Sequence, residues 1–152
     1  MEINQVIKKI RSENHGFYII ETQSVNLEDI EENIKKTFYQ KQYEIDTSFI
    51  NLVAEDGAKN ISIEQIRKLK KEFLHTNVLE ISRVILISEI NNLNINSINA
   101  LLKLIEEIPS NTFFIFCTSN FLKIPETIIS RARLLRLNNY QDQSGLELLA
   151  SD

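Results

Sequence analysis

Hydrophobic positions along the chain change their spacing several times, and each change separates a predicted strand from a predicted helix. Short apolar runs typical of strands lie at residues 17–20, 49–53, 84–87, 112–117 and 134–137. The run at 84–87 consists only of Val, Ile and Leu, as in parallel strands that are covered on both faces. The sequence therefore predicts five strands, and a turn signal, Glu-Asp-Gly, follows the second.

Three longer stretches carry an apolar residue at about every third or fourth position, which is the spacing of an amphipathic helix. Their apolar stripes are Leu27, Ile30, Ile34 and Phe38; Ile63, Ile66 and Phe73; and Ile95, Ile98, Leu101, Leu102 and Ile105. Ser62 is predicted to cap the second helix, and the third should end before Pro109. Because strands alternate with helices over short connections, we expect an α/β fold with helices on both faces of a mainly parallel sheet.

The composition is that of an ordinary soluble globular domain. The 152 residues are 43% hydrophobic and 25% charged, and a chain of this length can bury a normal core as one domain. No apolar run approaches the ~20 residues that span a bilayer. The N-terminal segment also has no continuous apolar core of the kind found in secretory signals. We therefore expect a cytoplasmic protein with no membrane partner.

Charge and metal-ligating residues exclude several kinds of site. A net charge of −4 and a pI near 5.3 argue against DNA binding by general electrostatics, and the basic residues at 66–72 are interpreted as a solvated helix face. The single Cys117 excludes an internal disulfide and a Cys-rich zinc module, and His15 and His75 are far apart in sequence. No metal site is predicted, and Cys117 is interpreted as a small core residue.

Four segments resemble, in the right order, the ATPase-like domain of clamp-loader subunits of the AAA+ class. They are residues 50–69 (INLVAEDGAKNISIEQIRKL), 84–94 (VILISEINNLN), 98–109 (INALLKLIEEIP) and 113–133 (FFIFCTSNFLKIPETIISRAR). The second lies where the family has its Walker B strand, the third is similar to the family's ANALLKTLEEPP helix, and the fourth to its sensor-1 strand and Ser-Arg-Cys motif. The family that the chain resembles most is that of bacterial DNA polymerase III delta-prime subunits. The resemblance implies a P-loop NTPase-like three-layer sandwich with a five-stranded sheet.

The chain departs from this family at the phosphate-binding loop. Such a loop follows the pattern G-x-x-x-x-G-K-[ST], because its backbone N–H groups wrap the phosphates and its Lys reaches the β- and γ-oxygens. After the first predicted strand the chain has ETQSVN at residues 21–26, with neither Gly nor Lys, and Glu21 adds a negative charge. We expect nucleotide binding to be lost and no cofactor to be bound. The domain is interpreted as degenerate over 1–140, and 141–152 as a tail or the start of a missing lid domain; the family's zinc module and collar domain are also missing.

The Walker B and sensor-1 positions are altered or have no nucleotide to act on. Active relatives use an Asp-Glu pair at Walker B, and this chain has Ser88-Glu89, so a metal ligand is missing. Glu89 alone cannot assemble a metal site. Thr118, Ser119 and Asn120 occupy the sensor-1 region. Without a nucleotide in the same chain, capping of the loop is their preferred interpretation.

Arg131 is the best candidate for a residue that acts in catalysis. The resemblance implies that this Arg of the Ser-Arg-Cys motif projects into the ATP site of a neighbouring subunit, with Ser130 as its motif partner. Ala132 replaces the Cys of the motif, which should alter packing only. The alternative is that Arg131 and Arg133 are ordinary exposed arginines between a helix and a strand.

Three functions follow from these residues. The first is a clamp-loader subunit without intrinsic activity, which belongs by resemblance to the DNA polymerase III holoenzyme and acts as stator and trans-acting arginine donor in DNA replication. Its partners would be the clamp-loader ATPase subunits and the delta subunit, and it would meet DNA only through the complex. The second is a degenerate AAA+ interaction module outside the ring. The third, an NTPase that works through Glu89, is disfavoured by the missing phosphate-binding loop.

Overall fold

A computed structural model describes residues 1–23, 25–73, 80–88, 90 and 93–137. In this part of the chain six helices and five strands alternate, except that α3 directly follows α2. The helices are α1 (Ile3–Arg11), α2 (Leu27–Phe38), α3 (Gln42–Ser48), α4 (Ile63–Glu72), α5 (Ile95–Glu106) and α6 (Glu126–Ile129). The strands are β1 (Gly16–Glu21), β2 (Phe49–Asn51), β3 (Arg83–Ile87), β4 (Thr112–Thr118) and β5 (Arg133–Arg136). None of the described helices is long and apolar enough to cross a membrane.

The five strands form one sheet in the order β2-β3-β4-β1-β5. All four neighbouring pairs are parallel, with Ile19 of β1 opposite Phe116 of β4 on one side and Leu134 of β5 on the other. The prediction of a mainly parallel sheet is confirmed. Because every strand runs the same way, all the strands start at one edge of the sheet and end at the opposite edge.

Helices cover both faces of the sheet, which gives the predicted three layers. On one face α1 and α2 pack on the even-numbered side chains of β1, including Tyr18 and Ile20. On the other face α4, α5 and α6 pack on the odd-numbered side chains, including Phe17 and Ile19. Cys117 is buried in β4 within the first of these cores, as expected for a small core residue.

Local sequence signals explain where the predicted helices begin and end. The Ser62 hydroxyl accepts a hydrogen bond from the backbone N–H of Gln65 at 3.1 Å, so Ser62 caps α4 as predicted. Asn94 caps α5 in the same way through the N–H of Ser97, at 2.9 Å. The basic side chains of α4 are exposed, which confirms that segment 66–72 has a solvated face.

The structure differs from the sequence prediction in a few elements. β2 ends at Asn51, two residues earlier than predicted, and β5 begins at Arg133, one residue earlier. α4 ends at Glu72, so Phe73 follows the helix as its cap. The helices α1, α3 and α6 were not predicted from periodicity, since α3 and α6 have only seven and four residues. The predicted tail at 141–152 lies outside the described residues.

Candidate functional site

The two edges of the sheet carry the candidate residues. The last residues of the five strands lie at one edge of the sheet, which we call the strand-end edge: Glu21, Asn51, Ile87, Thr118 and Arg136. The strand-start edge is the opposite region, around their first residues, Gly16, Phe49, Arg83, Thr112 and Arg133. In parallel α/β sheets, ligands bind outside the carboxyl ends of the strands. The strand-end edge is therefore where a nucleotide would be expected.

The start of the helix that follows β1 differs from a phosphate-binding helix start. In P-loop proteins the N-terminus of this helix offers its backbone N–H groups to the phosphates. Here the Asn26 side chain accepts a hydrogen bond from the N–H of Glu28 at 2.9 Å, which caps α2. Glu28 and Asp29 add two carboxylates to the first turn of the helix. The capped and acidic helix start therefore disfavours an anion.

Glu21 fills the end of β1 with a buried carboxylate that has its own partners. Its side chain is only 6% exposed, and one oxygen lies 2.8 Å from Nε of Arg136. The other oxygen accepts a hydrogen bond from the backbone N–H of Phe121 at 2.9 Å. The Arg136 guanidinium also lies over the Phe121 ring, 5.6 Å from its centroid. A phosphate placed here would meet a buried negative charge whose cation is already engaged.

Two of the three sensor-1 residues close the turn after β4. The Thr118 hydroxyl donates to the carbonyl of Asn120 at 3.0 Å and accepts from its N–H at 3.2 Å. The Asn120 side chain accepts from the N–H of Leu122 at 2.9 Å and caps a single 3₁₀ turn. Ser119 is exposed on the bend between them. These contacts support the interpretation of Thr118 and Asn120 as loop caps.

The Walker B position carries only a weak polar contact. The hydroxyl of Ser88 lies 3.4 Å from the side-chain oxygen of Asn51 and joins the ends of β3 and β2. Glu89 lies outside the described residues. Among the residues that the structure describes, no three His, Cys, Asp or Glu side chains are grouped so as to hold a metal ion.

Arg131 lies near the strand-start edge. It follows α6 and the cap residue Ser130, and 40% of its side chain is exposed. Its Nη1 donates to the carbonyl of Thr127 at 2.6 Å, and the Ser130 hydroxyl donates to the same carbonyl at 3.3 Å. Its Nη2 lies 3.8 Å from a carboxylate oxygen of Glu106, the last residue of α5. The structure therefore brings Ser130 and Arg131 together on one helix end.

Arg131 lies far from the strand-end edge of its own chain. β5 starts at Arg133, just after Arg131, and ends at Arg136, which pairs with Glu21. At ~3.3 Å per residue, the strand from Arg133 to Arg136 spans roughly 10 Å. Arg131 lies beyond the start of this strand and is thus on the far side from Glu21. Arg133 is held separately, by an ion pair with Glu13.

The profile of the family described as "DNA polymerase III, delta subunit" matches residues 45–141. The chain belongs to this DNA polymerase III delta subunit family. A DNA polymerase III gamma subunit of Buchnera aphidicola from Schizaphis graminum is 36% identical over 100 residues, which are 66% of this chain and 28% of that protein. The tau subunit of Bacillus subtilis is 35% identical over 86 residues, 57% of this chain and 15% of that protein. The chain thus spans less than a third of the length of these relatives.

Solved structures of related proteins share the fold. A gamma subunit-related protein of Thermotoga maritima superposes with a TM-score of 0.73 at 18% identity, covering 95% of this chain and 49% of that one. The Bacillus subtilis clamp loader delta protein superposes with a TM-score of 0.59 at 14% identity, covering 94% of this chain and 45% of that one. These similarities confirm the clamp-loader-like α/β fold that the sequence motifs predict.

Sequence patterns do not predict which side chains contact Glu21 and Arg131. In the structure, Glu21 pairs with Arg136, and Arg131 contacts Glu106 and Thr127. The signal for Arg136 is a charged residue at the end of an apolar strand. The signal for Glu106 is an acidic residue in the last turn of a helix, where the helix dipole disfavours it.

Proposed function

We propose that this chain is a delta-prime-type clamp-loader subunit, which hydrolyses no nucleotide itself and offers Arg131 to the ATP site of an adjacent subunit. The observation that carries this proposal is the separation of the two edges. Glu21 and Arg136 fill the strand-end edge, while Arg131 is partly exposed beside the strand-start edge. A side chain on that side of the domain can reach a neighbouring molecule but not the nucleotide position of its own chain.

The chemistry of an arginine finger fits this position. A guanidinium beside the γ-phosphate stabilises the charge that develops in the transition state, and such a group raises kcat by ~10³–10⁵ in related enzymes. It needs a rigid support and no nucleotide in its own chain. α6 provides the support, because Ile128 is buried in the core and the N–H of Arg131 donates to the carbonyl of Ile128 at 3.0 Å.

The same geometry supports a role as stator. A nucleotide changes a subunit's conformation only if it binds the two conformations differently. The buried Glu21 carboxylate would oppose a phosphate at the end of β1, so this chain would not respond to a nucleotide of its own. Its partners would be the ATP-hydrolysing clamp-loader subunits and the delta subunit, with DNA reached through the complex. The degenerate ATPase-like domain would occupy 1–140 of a cytoplasmic assembly, and 141–152 would be a tail or the start of a lid domain.

A second candidate is an AAA+-like interaction module outside the clamp-loader ring. The contacts of Arg131 favour it, since both terminal nitrogens of the guanidinium face groups of the same chain, Thr127 and Glu106. In that case Arg131 would serve only to join α6 to α5. The two candidates differ in whether Arg131 acts on another subunit, which can be measured directly.

The experiment is the DNA-stimulated ATPase rate of the same organism's clamp-loader ATPase subunit, with and without this chain. Arg131→Ala should lower the stimulated kcat by about 10³. Arg131→Lys should restore little of it, because Lys lacks the planar pair of N–H groups that grips phosphate. Arg133→Ala is the matched control, since Arg133 is also exposed and ion-paired but lies on β5.

The outcomes separate the two candidates. A loss with Arg131→Ala and not with Arg133→Ala, while the complex still forms in gel filtration, supports the trans-acting finger. A complex whose rate is unaffected by Arg131→Ala contradicts the finger. Failure of the wild-type chain to bind the ATPase subunit would instead favour the module outside the ring.

A further inference from the structure

We infer that Glu106 restrains Arg131 and thereby sets how readily the finger reaches a neighbouring phosphate. This inference rests on the proposed function of Arg131. It gives a role to Glu106 on α5, which lies in the segment similar to the family's ANALLKTLEEPP helix but has no part in the proposed mechanism. Glu106 would act as an internal anion that occupies the guanidinium until the phosphate of an adjacent subunit replaces it.

Glu106 lies near Nη2 of Arg131, one of the two terminal nitrogens with which the side chain would bind a phosphate. Arginine binds phosphate best through two parallel N–H groups of its fork. In this chain Nη1 is bonded to the Thr127 carbonyl at 2.6 Å, and Nη2 lies 3.8 Å from the Glu106 carboxylate. A phosphate bound by both terminal nitrogens would compete with Thr127 and Glu106 for their N–H groups.

The contact with Glu106 is weak enough to be exchanged. The two side chains are 40% and 57% exposed, and 3.8 Å is long for a charge-assisted hydrogen bond. Exposed pairs of this kind typically contribute little, because water and salt screen them. A phosphate in an enclosed site at a subunit interface would be a stronger partner. The pair thus holds the guanidinium in place without preventing its transfer.

Helix stability does not account for an acidic residue at this position. Glu106 is the last residue of α5, where the partial negative charge of the helix dipole opposes a carboxylate. Glu107 follows directly and is equally unfavourable for the helix. Of these two carboxylates, only that of Glu106 has an ion pair with a residue that the structure describes. The contact with Arg131 is therefore the favourable interaction that Glu106 gains in this fold.

The test compares Glu106→Gln with Glu107→Gln in the complex of the full chain with the ATPase subunit. Both variants remove one negative charge from the end of α5, but only the first removes the partner of Arg131. At low salt, Glu106→Gln should raise the stimulated kcat roughly two- to five-fold, which is the strength of an exposed ion pair expressed as a rate. The KM for ATP should stay unchanged, because ATP is bound by the other subunit.

Salt and a double variant provide two further readouts. At 0.5 M salt the advantage of Glu106→Gln should shrink, because the Debye length falls to about 4 Å and the wild-type pair is already screened. In the Arg131→Ala background, Glu106→Gln should have no effect, because an interaction between two residues disappears when either one is removed.

The possible results distinguish this inference from the function on which it rests. Equal rates for Glu106→Gln and Glu107→Gln, or a gain that persists in the Arg131→Ala background, overturn the role of Glu106 and leave the finger intact. A lower rate for Glu106→Gln also overturns the restraint, since Glu106 would then be helping the finger. If Arg131→Ala itself changes nothing, the proposed function is wrong and the inference fails with it.

Discussion

The charged side chains at the two edges of the sheet differ in how strongly they are held by hydrogen bonds and ion pairs within the chain. At the strand-end edge, the nearly buried carboxylate of Glu21 has an ion pair with Arg136 and a hydrogen bond from a backbone N–H. At the strand-start edge, Arg131 is partly exposed and held by one carbonyl and a distant carboxylate. We expect the first arrangement to be closed to a phosphate and the second to exchange its partners.

Under the proposed function, the two edges would belong to the two halves of a shared ATP site, which have unequal requirements. Binding a nucleotide needs a loop with glycines, a lysine and an uncapped helix start, and changing any of them weakens the whole site. An arginine finger needs one side chain on a rigid support. Because the two regions lie at opposite ends of the strands, the loss of the first leaves the second undisturbed. The finger proposed at the strand-start edge therefore needs no nucleotide at the strand-end edge of the same chain.

Arg131→Ala should have the largest effect of the substitutions that test this comparison. As described above, it should lower the DNA-stimulated ATPase rate by about 10³, while the free energy of unfolding of the domain stays unchanged.

At the strand-end edge, the expected effect of removing an arginine is a loss of stability. Arg136→Ala leaves the Glu21 carboxylate with one hydrogen bond, which should cost about 1–2 kcal/mol of unfolding free energy, because the carboxylate is nearly buried while Arg136 itself is 71% exposed. Arg133→Ala breaks an exposed pair with Glu13 and should cost less than about 1 kcal/mol. Urea unfolding of both variants measures the difference.

A second substitution tests the cause of this loss. Replacing Glu21 by Gln in the Arg136→Ala background removes the buried charge and keeps a side chain that can accept from Phe121. The double variant should regain part of the lost stability, because an unpaired buried carboxylate costs more than an amide. If Arg136→Ala and Arg133→Ala destabilise equally, the strand-end edge is no more closed than the other edge.

Long-range pairs of this kind explain what the sequence could and could not predict. Strands and helices follow from local spacing, and even α1 has the pattern, since Val6, Ile7 and Ile10 are its buried residues. The pair of Glu21 and Arg136 depends on the pairing of β1 with β5 and has no local signal. The contact of Arg131 with Glu106 likewise requires the packing of α6 against α5. Sequence spacing therefore identifies elements and motifs but not the partners that close or open a site.

A comparable effect concerns a neutral anchor at the strand-start edge. The buried Tyr39 hydroxyl lies 2.7 Å from the carbonyl of Ser82 and 3.0 Å from that of Ser48, and joins the segments before β3 and β2. The hydroxyl has one proton and donates it to one of these carbonyls at a time, so Tyr39→Phe removes one hydrogen bond and should cost about 1–2 kcal/mol. The comparison predicts that this edge is held by such buried groups and not by Arg131 or Arg133.

The same hydroxyl gives a pH dependence whose sign follows from burial. Burial raises the pKa of Tyr39 above its usual value of 10.0, because the charged form loses its hydration. The unfolded chain therefore releases the proton first, and stability is fully present below pH 10 and falls as the pH rises above it. Burial also raises the pKa of Tyr18, so Tyr39→Phe should reduce this alkaline loss without abolishing it. Unfolding free energies between pH 8 and pH 11 test this, and an unchanged slope would contradict it.

The smallest expected effect is the response of the chain to ATP, and it decides whether the strand-end edge is closed. A ligand at 100 times its Kd stabilises a protein by ~2.7 kcal/mol, which for a domain of this size raises Tm by roughly 5–10 °C. With Glu21 buried beside Arg136 and α2 capped by Asn26, 1 mM Mg-ATP should leave Tm unchanged. The ATPase subunit of the same clamp loader, melted in parallel, provides the positive control. The contrary result would be that Mg-ATP raises the Tm of the wild-type chain and raises that of Glu21→Gln further. The Glu21 carboxylate would then weaken nucleotide binding at the strand-end edge without preventing it, and the two edges would differ less than we expect.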